Sequence, residues 1–268
     1  MRKLEGTAMA ELVEGGRLRR ADILLVHSKS GFWERLIQFG TRNYWNHALV
    51  VYEVRNPNQG YETTSIIDPK AAGDVEIDNI AHYLERPGKY DVAVKRLEAE
   101  WFNNDCEADG LHCRNRVCEI AFGEIGSKQD SIVTWRFFRR ILRQITLAYH
   151  FVWRKIRTAK KGIRLPPVDR SFNVSDYSCG GFVQWCYYKG VSQVLDEDGV
   201  DKSRLQEAVF NPRLAGQITE YELLFTTPAD LASSDRLSWK YIIKDGVVGE
   251  VSSEEEVNLI INSGMKPE

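Results

Sequence analysis

Between residues 21 and 97 the chain is a succession of short apolar or β-branched runs separated by turn signals; after that the runs lengthen to helical spacing, and strand-like segments return only near residue 238. This segregation constrains the fold more than any other feature. It predicts strands at Ala21–Val26, His47–Val54, Thr63–Asp68, Asp74–Ile80 and Tyr90–Leu97. The stretch Asn56-Pro57-Asn58-Gln59-Gly60 is a dense turn signal, so the second and third of these should pair as a hairpin. Helices are expected at residues 31–40, at Arg116–Gly126, over Ile132 to about Arg157, and at Gly180–Lys189 with a stop at Gly190. Thr227 should cap a further helix with Pro228 at its first position, and a strand pair should turn at Asp245-Gly246. Residues 1–20 read as a polar leader, 21–248 as a single domain, and 249–268 as a loose polar tail.

The chain of 268 residues, 43% of them hydrophobic, suffices for a core that needs no disulfide staples. Five cysteines, an odd number, argue against a disulfide framework. A net charge of −2 does not mark the whole molecule as a binder of polyanions. No apolar run is long enough for a membrane span, and the first twenty residues lack a signal-peptide core. The expected location is therefore the cytoplasm, with a membrane-peripheral position or signal-independent export as the alternatives.

Two residues carry the chemistry. His47 stands at the mouth of an apolar strand, Trp45-Asn46-His47-Ala48-Leu49-Val50, and Cys179 opens a helix-like run, Ser178-Cys179-Gly180-Gly181-Phe182. A thiol becomes nucleophilic when its pKa falls, and both a helix N-terminus and an imidazole lower it. Cys179 is thus a candidate nucleophile and His47 a candidate base; the plainer alternatives are a buried cysteine and a strand-end histidine. His27 is the rival base. If residues 47–54 and 63–68 form a hairpin, Asp68 falls at the same sheet edge as His47 and is the candidate orienting acid, whereas Glu62 falls nearer the turn. Cys186 reads as core. Cys106, His112, Cys113 and Cys118 lack paired metal-ligand spacing, so no metal and no cofactor is expected.

Residues 131–168 contain ten Lys or Arg and no Asp or Glu. Arg136, Arg139, Arg140 and Arg143 fall on one helical face, opposite Trp135, Phe138 and Leu142. Such a segment suits an anionic membrane surface; an ordinary surface helix would show the same pattern. No recognition motif accompanies the charge, so nucleic acid is not an expected partner.

Four stretches together resemble the circularly permuted branch of the NlpC-type papain-like cysteine hydrolases, which includes YiiX-like proteins and is related to lecithin–retinol acyltransferase. Ala21-Asp22-Ile23-Leu24 resembles its opening Gly-Asp-Ile-Leu strand, and Asn46-His47-Ala48-Leu49-Val50-Val51 its histidine strand. Tyr177-Ser178-Cys179-Gly180-Gly181-Phe182-Val183 resembles its cysteine helix start, and Thr227-Pro228-Ala229-Asp230-Leu231 its closing segment. The resemblance spans about 210 residues, and the order histidine, acid, cysteine is that of the permuted branch. It implies an α+β, papain-like fold whose antiparallel sheet packs with helices. It also implies Cys179 as nucleophile, His47 as base, Asp68 as third member and Tyr177 as a contributor to the oxyanion site. The departures are Ala21 for glycine, Gly180-Gly181 for Ser-Glu, Asp68 where glutamate is frequent, and a long insert at about 127–170. The expected activity is thiol-dependent hydrolysis or acyl transfer at an ester or amide, a lipid acyl group being favoured. Cleavage of cell-wall peptides is the rival chemistry, and a non-catalytic lipid- or peptide-binding module is the rival class.

Overall fold

The computed structural model describes residue 12 and residues 17–29, 43–54, 64–70, 74–103, 113–126, 178–199, 202–214 and 218–263. Among these residues the chain is a mixed α/β structure around one open, seven-stranded antiparallel sheet. Its strands are β1 (Ile23–Ser28), β2 (His47–Glu53), β3 (Ser65–Pro69), β4 (Val75–Asn79), β5 (Tyr90–Leu97), β6 (Leu237–Lys244) and β7 (Val247–Glu250). They lie in the order β4-β3-β2-β1-β5-β6-β7. The helices are α1 (Ala81–Leu84), α2 (Glu100–Asn103), α3 (Cys113–Gly123), α4 (Cys179–Glu197), α5 (Glu220–Leu223), α6 (Pro228–Ser233) and α7 (Glu254–Ser263), with a 3-10 turn at Lys202–Ala208.

The first four residues of β1, Ile23–Val26, are all apolar because they are buried on both faces of the sheet. Ile23 and Leu25 join the core that contains Val117, Phe182 and Cys186, while Leu24 and Val26 join a second core with Tyr83, Leu84 and Val248. Each such side chain contributes about 1.5–3 kcal/mol by leaving water. The β6–β7 hairpin turns at Asp245 and Gly246, both at positive φ, as the Asp-Gly signal requires.

Ala21, in the place where glycine was expected, has φ +60°. Ala21 thus adopts the left-handed conformation that glycine suits better, at a cost of about 1–2 kcal/mol. Asp22 is buried beside it and accepts two hydrogen bonds from Arg96, from Nε at 2.6 Å and from Nη2 at 2.7 Å.

Three sequence expectations are corrected. α4 does not stop at Gly190 but runs to Glu197, with Asp198 as its cap and Gly199 beyond it at φ +62°. A Cβ on Gly190 would lie 2.9 Å from the Val117 nitrogen, so this glycine serves the close crossing of α3 and α4. The acidic C-terminal stretch is not a loose tail; it forms α7, with Glu254–Glu256 complementing the positive helix start and Val257 and Ile260 in the core. The leader is not wholly separate from the domain. Leu12 and Leu18 are buried, and the Arg17 carbonyl accepts from Arg96. The expected helices at 31–40 and 132–157, and the turn at 56–60, lie outside the described residues. No helix among the described residues is long and apolar enough to cross a membrane.

Candidate active site

His47 is fixed by the residue before it. Asn46 is buried, its Oδ1 accepts from the Ser28 amide at 3.0 Å, and its Nδ2 donates to the Ser28 carbonyl at 3.2 Å. This side-chain clamp ties the start of β2 to the end of β1. Continuing the β2–β3 register from Val50↔Ile67 sets Asp68 across from Leu49, which makes His47 its diagonal neighbour. The imidazole Nε2 meets Asp68 Oδ1 at 2.7 Å. Cys179 is near enough to the ring to favour its charged form.

Cys179 is the first residue of α4. Ser178 caps the helix, its Oγ accepting from the Gly181 amide at 3.0 Å and donating to the Thr226 carbonyl at 2.7 Å. The two glycines that follow have a packing cause. A Cβ on Gly180 would lie 2.6 Å from the Thr226 carbonyl oxygen, and one on Gly181 only 2.0 Å from that of Leu224. Segment 224–228 therefore lies directly against the first turn of α4. That segment is itself fixed, because Thr227 and Asp230 form a capping box at the start of α6 with Pro228 at its first position.

The electrostatics favour a charged imidazole. Burial works against it, but Asp68 and, after it, Cys179 outweigh burial and hold the His47 pKa up at about 10. Burial likewise opposes the Asp68 charge; His47, Lys70 and Tyr83 together overcome it and hold the carboxyl well below its ordinary range. Asp68 is completely buried, and its second oxygen accepts from Lys70 Nζ at 2.6 Å and from the Tyr83 hydroxyl at 2.5 Å. Tyr83 remains a phenol donor, since burial and the Asp68 charge both push its pKa far up.

His47, Asp68 and Cys179 are thus brought together. His27 is engaged otherwise: it stacks on Tyr44, with Nδ1 at 2.8 Å from the Tyr44 carbonyl. Cys186 is buried in the core as read, and Cys113 and Cys118 lie on the core side of α3. Tyr177, Glu62, Cys106, His112, Arg136, Arg139, Arg140 and Arg143 lie outside the described residues. Among the described residues no group of three His, Cys, Asp or Glu is arranged to hold a metal ion.

Lys70 and Tyr83 were missed. Lys70 follows Asp68 by two residues, a strand spacing that repeats one face, and this was a usable signal. Tyr83 had none, since it reaches Asp68 only because α1 folds back against one face of the sheet. No protein-family model matches this chain, and no curated protein matches it in sequence.

Proposed function

We propose that this protein is a cysteine-dependent hydrolase or acyltransferase on a circularly permuted papain-like fold, acting on the acyl bond of a lipid. The observation that supports this reading most is a single histidine held between a buried carboxylate and a cysteine at a helix start. With His47 carrying the proton, Cys179 is a thiolate. It attacks the carbonyl carbon, the negative charge passes to the carbonyl oxygen, and the amides at the start of α4 face that charge. On collapse the acyl–sulfur bond remains, the bond to the leaving group breaks, and the His47 proton goes to that group. His47, now neutral, takes a proton from water or an acceptor hydroxyl as that oxygen bonds to the acyl carbon; the carbon–sulfur bond then breaks, which leaves the acyl group on the acceptor and restores the thiolate. Asp68 keeps the ring oriented and stabilises its charged form.

The lipid preference rests on the basic, aromatic segment 131–168, the proposed contact with an anionic surface. The test is mass spectrometry of mixed anionic phospholipid vesicles incubated with wild type or Cys179→Ala. Fatty acids, lysolipids or transacylated lipids are expected with wild type alone. Identical lipid profiles from both would overturn the lipid assignment and direct the search to peptide amides.

A further inference from the structure

Asp68 is shared. One of its oxygens holds His47, and the other holds Lys70 at 2.6 Å and Tyr83 at 2.5 Å. Lys70 in turn is shared, since its ammonium also donates to Asp78 Oδ2 at 2.9 Å, and His82 Nδ1 lies 3.4 Å from the same oxygen. The strand register sets Glu76 opposite Asp68 on β4, its side chain exposed. The titratable groups about the acid are therefore His47, Lys70, Tyr83, Asp78, His82 and Glu76, with Cys179 beyond the imidazole.

We propose that Lys70 is a positioning and tuning residue that sets the working pH of the Cys179–His47 pair by sharing Asp68 with His47, while Tyr83 fixes the carboxylate between them. This rests on the thiol–imidazole reading above and adds a residue class that reading does not require. A carboxylate that serves one cation holds it more strongly than one that serves two, because each partner's field opposes the other. Lys70 thus weakens the hold of Asp68 on the imidazolium and adds positive charge near the thiolate. Removing its charge makes the site more negative and raises the pH at which the thiolate forms. Removing the charge of Asp78 leaves Lys70 to Asp68 alone and acts in the opposite direction. Tyr83 carries no charge; it acts as a strut. It projects from the single turn α1, whose first amide is held at 2.8 Å by Asn79 Oδ1.

The experiment is the pH profile of Cys179 alkylation by iodoacetamide, read on the Cys179 peptide by mass spectrometry, in the full chain. Lys70→Met should move the profile up by about one pH unit, Lys70→Arg should leave it near wild type, and Asp78→Asn should move it down. A merely structural role for Lys70 would change the height of the profile but not its position. Should Lys70→Met fail to fold, Asp78→Asn carries the test, since its residue is partly exposed and the amide still accepts from the Asn79 backbone. A profile that depends on His47 in wild type but does not move in Lys70→Met and Asp78→Asn overturns this proposal alone. A wild-type profile like that of a free thiol, unchanged by His47→Ala, overturns the parent reading and this one together.

Discussion

His47 shows how far one side chain's properties depend on what stands on either side of it. An imidazole in a buried setting ordinarily loses its proton, because desolvation penalises the charged form. Here Asp68 leads the groups that reverse this, with Cys179 after it, and the pKa rises to about 10. The imidazolium therefore persists through neutral pH and is lost only as the pH passes that value. Asp68→Asn removes the largest favourable contribution while keeping the shape of the side chain. The His47 ring should then titrate at least two pH units lower than in wild type. Nitrogen-15 NMR of the imidazoles, with His47→Ala to assign the signal, measures this. An unmoved titration would show that Asp68 is not the group holding the proton on His47.

At the scale of elements, Cys179 is positioned by a junction between two chain segments. The first turn of α4 and the segment before α6 approach so closely that glycine is required at both 180 and 181. Gly181→Ala places a methyl group 2.0 Å from a backbone oxygen, which must move. A loss of about 3 kcal/mol in unfolding free energy is expected, together with slower Cys179 alkylation in the protein that remains folded. Urea denaturation and alkylation rates check both; wild-type stability would mean that segment 224–228 is free to shift.

These elements also show what the sequence made legible. Tyr90–Leu97 was read to the residue, and the Thr227 cap with Pro228 after it and the Asp245-Gly246 turn were visible because their chemistry is local. That Asp68 lies beside His47 was legible from a hairpin argument, which needs only strand alternation and register. Gly190 was misread as a stop because a glycine that ends a helix and one that admits a neighbouring helix look alike in one dimension. The acidic run at 254–256 was misread because charge suggests solvent, whereas three glutamates in a first turn also complement a helix dipole. Tyr83 was invisible because its role arises only from tertiary folding.

For the whole molecule, the informative group is Lys95, buried in the interior strand β5. Its ammonium donates to the carbonyls of Leu231, Ala232 and Ser234 at 3.1, 2.6 and 2.9 Å and lies 4.5 Å from the centre of the Trp239 ring. It thus joins the middle of the sheet to the end of α6, the helix whose other end abuts the Cys179 turn. Sheet, closing helix and candidate site are in this way mechanically one unit. The arrangement carries an electrostatic cost, since burial pulls the Lys95 pKa down to about 7 against the weaker upward pull of Glu254 and Asp235. A lysine whose pKa is lower folded than unfolded binds fewer protons in the native state. Its contribution to stability therefore rises as the pH increases from about 7 towards the unfolded value of 10.5. Lys95→Met lacks that proton, so the stability difference between wild type and variant should shift in favour of wild type across this window, by up to about 1.4 kcal/mol per pH unit. Urea denaturation of both proteins at a series of pH values measures it. A difference that stays constant with pH would mean that the three carbonyls and the indole keep Lys95 fully charged, and that burial is offset completely.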